Sequence, residues 1–120
     1  MSRFVNRTAI DEIVLANGDR VTVRQRLTAA ESADLTRNMM HLRFDSNTKQ
    51  VELAEGNWHR QRIEIARAYI VSWSFTDEAG VSVPYLPALI EDLDEATITE
   101  ITAAIDALQT QHREESEKKG

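Results

Sequence analysis

A chain of 120 residues without cysteine is sized for one compact domain and can build neither a disulfide nor a thiolate metal site. Its net charge of −6 is uneven: residues 1–70 carry 11 Lys and Arg against 9 Asp and Glu, and residues 71–120 only 3 against 11. The acidic second half and the lack of a dense basic run exclude a phosphate-tracking nucleic-acid groove. The longest apolar stretch, Ala68 to Val71, is too short to span a bilayer, so the expectation is a soluble protein of the cytoplasm.

The first local signal is a β-hairpin. Ile13-Val14-Leu15 and Val21-Thr22-Val23 flank Asn17-Gly18, the pair that best tolerates the positive φ angles of a tight turn. Val21 and Val23 alternate with Thr22 and Arg24, as in a strand buried on one side only. Thr28-Ala29-Ala30-Glu31 is a capping box that opens a helix. Its apolar stripe is Leu35, Met39 and Leu42, and the helix is expected to fade near Arg43. Asp45 to Thr48 has loop composition, and Lys49 to Leu53 suits a short edge strand.

The strongest amphipathic pattern runs from about Asn57 to Phe75. At helical spacing Trp58, Ile63, Ile65, Ala66, Tyr69, Ile70 and Trp73 share a broad face, with Arg60, Glu64 and Arg67 opposite. A strand over Tyr69 to Phe75 is the competing reading, because Tyr69, Val71, Trp73 and Phe75 also alternate; length favours the helix. Thr76 to Gly80 is a polar turn, and Val81 to Pro87 is extended, since residues before proline leave the helical region. Pro87 can open a short helix over Ala88 to Leu93. A second capping box, Thr97-Ile98-Thr99-Glu100, is expected to start the last helix, whose stripe is Ile98, Ile101, Ile105 and Leu108. Past Leu108 the residues are polar and charged, so the domain is set at 1–108, with 109–120 a fraying tail. The fold class is α+β with helix dominant: an N-terminal hairpin, with room for a third short strand, packed on three to four helices.

Residues that could carry chemistry do not gather. His41, His59 and His112 each lack a second ligand at metal spacing, and four glycines cannot build a phosphate-cradling loop. Glu91, Asp92, Asp94 and Glu95 do cluster, but at a helix–helix junction where ionised carboxylates favour the next helix's N-terminus. A non-enzymatic protein without catalytic residue, metal or cofactor is the expectation. Trp58 and Trp73 are placed in the core. Val71 and Phe75 fall off the main apolar face, and Val81 and Tyr85 flank a turn without a periodic home. These four are the candidate partner-binding residues, and Val71 and Phe75 also leave self-association open.

Three stretches together resemble the tail-assembly chaperones of long-tailed, siphovirus-type bacteriophages. They are the strand–Asn17-Gly18–strand opening before a capped helix; Ala68 to Gly80, where an apolar helix ends in Trp73 before an acidic turn with glycine; and Val83-Pro84 with Leu89-Ile90-Glu91-Asp92-Leu93 leading into a final helix. The likeness covers residues 11–108. It implies a non-enzymatic assembly factor of the host-cell cytoplasm that binds the tape-measure protein, helps bring tail-tube subunits to it and leaves the finished tail. It also implies a longer form made by ribosomal frameshifting, for which Glu117-Lys118-Lys119 can be encoded by a suitable A-rich run. A structural virion component, such as a head–tail connector or tail-completion protein, is the alternative.

Overall fold

The computed structural model describes residues 3–39, 42–45, 50–53 and 58–119. In chain order the elements are β1 (Ile10–Val14), β2 (Arg20–Arg24), α1 (Ala29–Met39), β3 (Leu42–Asp45), β4 (Gln50–Leu53), α2 (Trp58–Tyr69), β5 (Ile70–Trp73), a 3-10 helix (Pro87–Asp92) and α3 (Glu95–Lys119). This is an α+β fold whose N-terminal hairpin packs on helices. One sheet is antiparallel in the order β1-β2-β5, and β3 and β4 form a separate two-stranded ribbon.

The hairpin pairs Ile13 with Val21 and Asp11 with Val23. Its turn closes through Gly18 N–H to Leu15 O (2.9 Å) and Leu15 N–H to Asp19 O (2.8 Å). Gly18 alone of the Asn-Gly pair is a glycine, and at φ 91° it takes the left-handed position that closes a three-residue hairpin loop. The Asn17 side chain straps the loop to Asp19, accepting its N–H at 3.1 Å and donating to its carboxylate at 2.7 Å.

The capping box at α1 forms in both directions: Glu31 N–H donates to the Thr28 hydroxyl (3.1 Å), and Thr28 N–H donates to the Glu31 carboxylate (2.9 Å). Arg24 of β2 also binds that carboxylate. Together, with the Arg24 bond first, these hold the Glu31 carboxyl far below its usual range, at about 2. The helix stops at Met39, so Leu42 does not extend its stripe but opens β3. There Leu42 pairs with Leu53 and Phe44 with Val51, and the period-2 alternation of Leu42-Arg43-Phe44-Asp45 prevails over the helical period. Lys49, Asn57, His41 and positions 46–48, where a loop is expected, lie outside the described residues.

The long amphipathic pattern splits. Helix α2 ends at Tyr69 and the chain enters β5 at Ile70 without a loop, which corrects the expected helix to Phe75 in favour of the competing strand. β5 pairs Val23 with Ile70, Thr22 with Ser72 and Val21 with Trp73, leaving Val71 as the extra residue of a bulge. An extra residue reverses the alternation, so Ile70 and Trp73 both reach the core although three positions apart. That spacing is also a helical one, which is why the helical wheel absorbed them.

One core cluster joins Ile13, Leu15, Val21 and Val23 of the hairpin to Ala66, Ile70, Ile90, Ile98, Ile101 and Ile105. The start of α3 differs from its expected cap. Asp94, not Thr97, is the N-cap: its carboxylate accepts the Thr97 N–H at 2.8 Å and its carbonyl accepts the Ile98 N–H at 3.2 Å. Glu100, the other half of the expected box, instead accepts the Ala16 N–H of the hairpin turn at 2.8 Å. Hydrogen bonds from Thr97, its hydroxyl first, lower the Asp94 carboxyl below its usual range. Asp94→Ala removes the N-cap and is expected to lower the urea midpoint, and Thr97→Ala to lower it less, because the N–H that Asp94 caps is retained. Beyond Leu108 the helix continues to Lys119. Gln109 donates to the Gln25 carbonyl at 2.9 Å and His112 meets Asp11 at 2.8 Å, so the boundary drawn at 108 falls inside α3.

Candidate interaction surfaces

Of the four candidate partner-binding residues, two are half-buried and two exposed. Phe75 and Tyr85 are half-buried around Trp73, with ring centroids 5.0 Å and 4.8 Å from it, the Tyr85 contact edge-on. They thus hold the turn onto the sheet. Trp73 Nε1–H donates to the Val83 carbonyl at 2.7 Å, and Val83 N–H donates to Phe75 O at 2.9 Å. Asp77 knots the tip by accepting the N–H groups of Ala79 and Val81 at 2.9 and 3.0 Å, while Gly80 takes φ 79°. Val71 at the bulge and Val81 at the turn are 45% and 60% exposed. The Tyr85 hydroxyl is buried without a hydrogen-bond partner, and burial raises it above the usual phenol range. An unmet buried hydroxyl is costly, so Tyr85→Phe is expected to leave stability unchanged or raise it by about 1 kcal/mol, read as a higher urea midpoint at constant slope.

The larger feature lies elsewhere. A groove of about 590 Å³ opens between α1, α2 and α3, lined chiefly by Leu35, Met39, Ile65, Tyr69, Ala103 and Ile105, with Arg62 and Asp106 also in its wall. Apolar surface dominates it. No residue of α1 is fully buried, so the Leu35–Met39 stripe, one helical turn apart, is not consumed by the core. The apolar stripe of Leu35 and Met39 on a short helix was the available sequence signal for a groove.

Beside it, α2 carries a charge cluster. Glu64, expected on the solvent side, is buried, its side chain 7% exposed, and its carboxylate lies 2.8 Å from Arg67 and 3.3 Å from Arg60. Glu91 of the 3-10 helix closes the ring at 2.5 Å from Arg60 and 3.4 Å from Arg67. Arg60 first, then Arg67, hold the Glu91 carboxyl below its usual range.

Three of the clustered carboxylates have separate partners: Glu91 in this ring, Asp94 in its cap, and Glu95 at 3.0 Å from His59, both exposed. Among the described residues no three His, Asp or Glu converge as a metal site, and no helix is long and apolar enough to cross a membrane. The arrangement sets an apolar groove beside a charged surface, and His59 and Glu95 meet at the rim of a small pocket over Ile90 and Ile98. Comparison with family models, curated proteins and solved structures finds no match for this chain.

Proposed function

We propose that this chain is a non-enzymatic chaperone of phage tail assembly, acting in the host cytoplasm, which holds an apolar helix of the tape-measure protein and helps bring tail-tube subunits to it. The observation that carries the binding role is the apolar groove between α1, α2 and α3, with the unspent Leu35–Met39 stripe on one wall. Grooves of this form suit an amphipathic helix presenting residues at i, i+3, i+4 and i+7. The identity of the client comes from the resemblance of residues 11–108 to tail-assembly chaperones.

Co-expression with a tape-measure protein and a tail-tube subunit tests the reading by co-purification and by affinity. Leu35→Glu and Met39→Glu lie outside the core cluster and are expected to leave folding intact. Each is expected to weaken tape-measure binding at least about tenfold, the scale of losing one buried aliphatic contact. Retention of full affinity in both variants would remove the groove as the binding site. Presence of the protein in purified virions would favour the structural-component alternative, since an assembly chaperone leaves the finished tail.

A further inference from the structure

β1 ends the sheet, and its ladder phase shows which groups it leaves unpaired. Gln25 N–H bonds Ala9 O, and Leu15 N–H bonds Asp19 O. With the period of two along an antiparallel pair, Asp11 and Ile13 therefore face β2. Ile10, Glu12 and Val14 turn their N–H and C=O groups outward. The Ile10 carbonyl accepts from the Gln25 side chain at 3.2 Å, and the next outward N–H, that of Ala16, is taken by Glu100. Among the described residues, those of Glu12 and Val14 meet no partner on that side. The side chains on the outer sheet face are also open: Ile10 is 50% and Val14 63% exposed.

We infer that this edge pairs with the same edge of a second copy, antiparallel and with the two-fold axis at Glu12, making a continuous six-stranded sheet. The strand reads the same in both directions about that point, apolar–acidic–apolar at Ile10, Glu12 and Val14. A reversed copy thus sets Ile10 against Val14 twice and joins Glu12 to Glu12 by two backbone bonds. Like charges opposite each other oppose pairing. Here each Glu12 is already held by its own Arg20 at 2.9 Å, so the axis carries two neutral ion pairs. One guard of a free edge is an inward-pointing charge. Asp11 is such a residue, but it is tied beneath the sheet to His112 at 2.8 Å and Gln25 at 3.2 Å. On α3, Ala104 and Leu108 follow Glu100 at four-residue steps, the stripe that reaches Ala16. They are only partly buried against the core, and the second copy's α3 would come to lie against them.

The chain has no cysteine, which permits a register-specific test on the full-length protein. A hydrogen-bonded antiparallel pair spaces its Cα atoms about 5.5 Å apart, inside the span of a disulfide. Glu12→Cys is expected to form a covalent dimer on mild oxidation, and Val14→Cys, four residues out of register with its own copy, is not. The wild type is expected to sediment as a dimer. Val14→Lys is expected to raise its dissociation constant at least about tenfold without changing the circular dichroism spectrum. A wild type that stays monomeric at every concentration reached, equal cross-linking by the two cysteine variants, or a Val14→Lys dimer of undiminished affinity would each overturn the pairing.

Discussion

Ile101→Ala is expected to lower the unfolding free energy by about 3–4 kcal/mol, seen as a lower urea midpoint at unchanged slope. Ile101 is fully buried, at the centre of the α3 stripe between Ile98 and Ile105. Removing its outer carbons forfeits about 0.8 kcal/mol of transfer energy per methylene. The cavity left behind adds more, because α3 is fixed at its start by the Asp94 cap and farther along by Gln109 and His112 and cannot slide inward to fill it. Leu108→Ala, on the same helix but only half-buried, should cost clearly less. A chain of this size holds about 5–15 kcal/mol in all, so the Ile101 variant remains folded only with a thin margin. A loss of the same size at Leu108 would mean that the distal half of α3 is packed more tightly than its exposure indicates. Thr102, Ala103 and Ile105 line the groove, so the Ile101 variant should also bind a helical client less well, through a loosened wall rather than a lost contact.

Elements specified by neighbouring residues were legible in the chain. The Thr28–Glu31 box needs only residues three apart, and the turn at Gly18 needs only a residue that tolerates φ > 0. The isoleucines of α3 recur at helical spacing and are buried as expected. What stayed illegible depends on partners distant in sequence. Ile70 to Trp73 suits a helix or a bulged strand equally until β2 is known to lie beside it. Two caps three residues apart, at Asp94 and Thr97, compete on equal local terms. The choice is made where Glu100 is drawn off by Ala16 of the hairpin. The four candidate binding residues were chosen for lacking a helical home. Phe75 and Tyr85 pack instead on Trp73 of β5, outside any helix, which no periodicity could reveal because the turn between them brings the rings together. The groove was half visible, as a stripe on α1, while its opposite wall on α3 was not.

Glu64 is the residue whose position helical periodicity misjudged most, and its ring of charges makes an asymmetric prediction. Arg67→Met is expected to cost about 3 kcal/mol, because it strips the nearer cation from a carboxylate that is 7% exposed and cannot turn to water. Arg60→Met should cost less: that guanidinium is 40% exposed and 3.3 Å from Glu64, against 28% and 2.8 Å for Arg67. Glu64→Gln should fall between them, at about 2 kcal/mol after allowance for solvent screening, since both arginines keep Glu91 and a path to solvent. Replacing the pair together, Glu64→Leu with Arg67→Met, removes the uncompensated charge. It should recover most of the Arg67→Met loss, as apolar replacements of buried ion pairs commonly do. The double-mutant cycle measures this directly. Additive losses in it would mean that Glu64 is held by its packing and not by Arg67. Because Glu91 ties the same arginines to the 3-10 helix, Arg67→Met should also expose the Ala88–Asp92 amides to faster hydrogen exchange, and the double variant, which lacks the same Arg67–Glu91 contact, should do so as well. The ring thus has two separable effects, one on the burial of Glu64 and one on the docking of the segment that leads into α3.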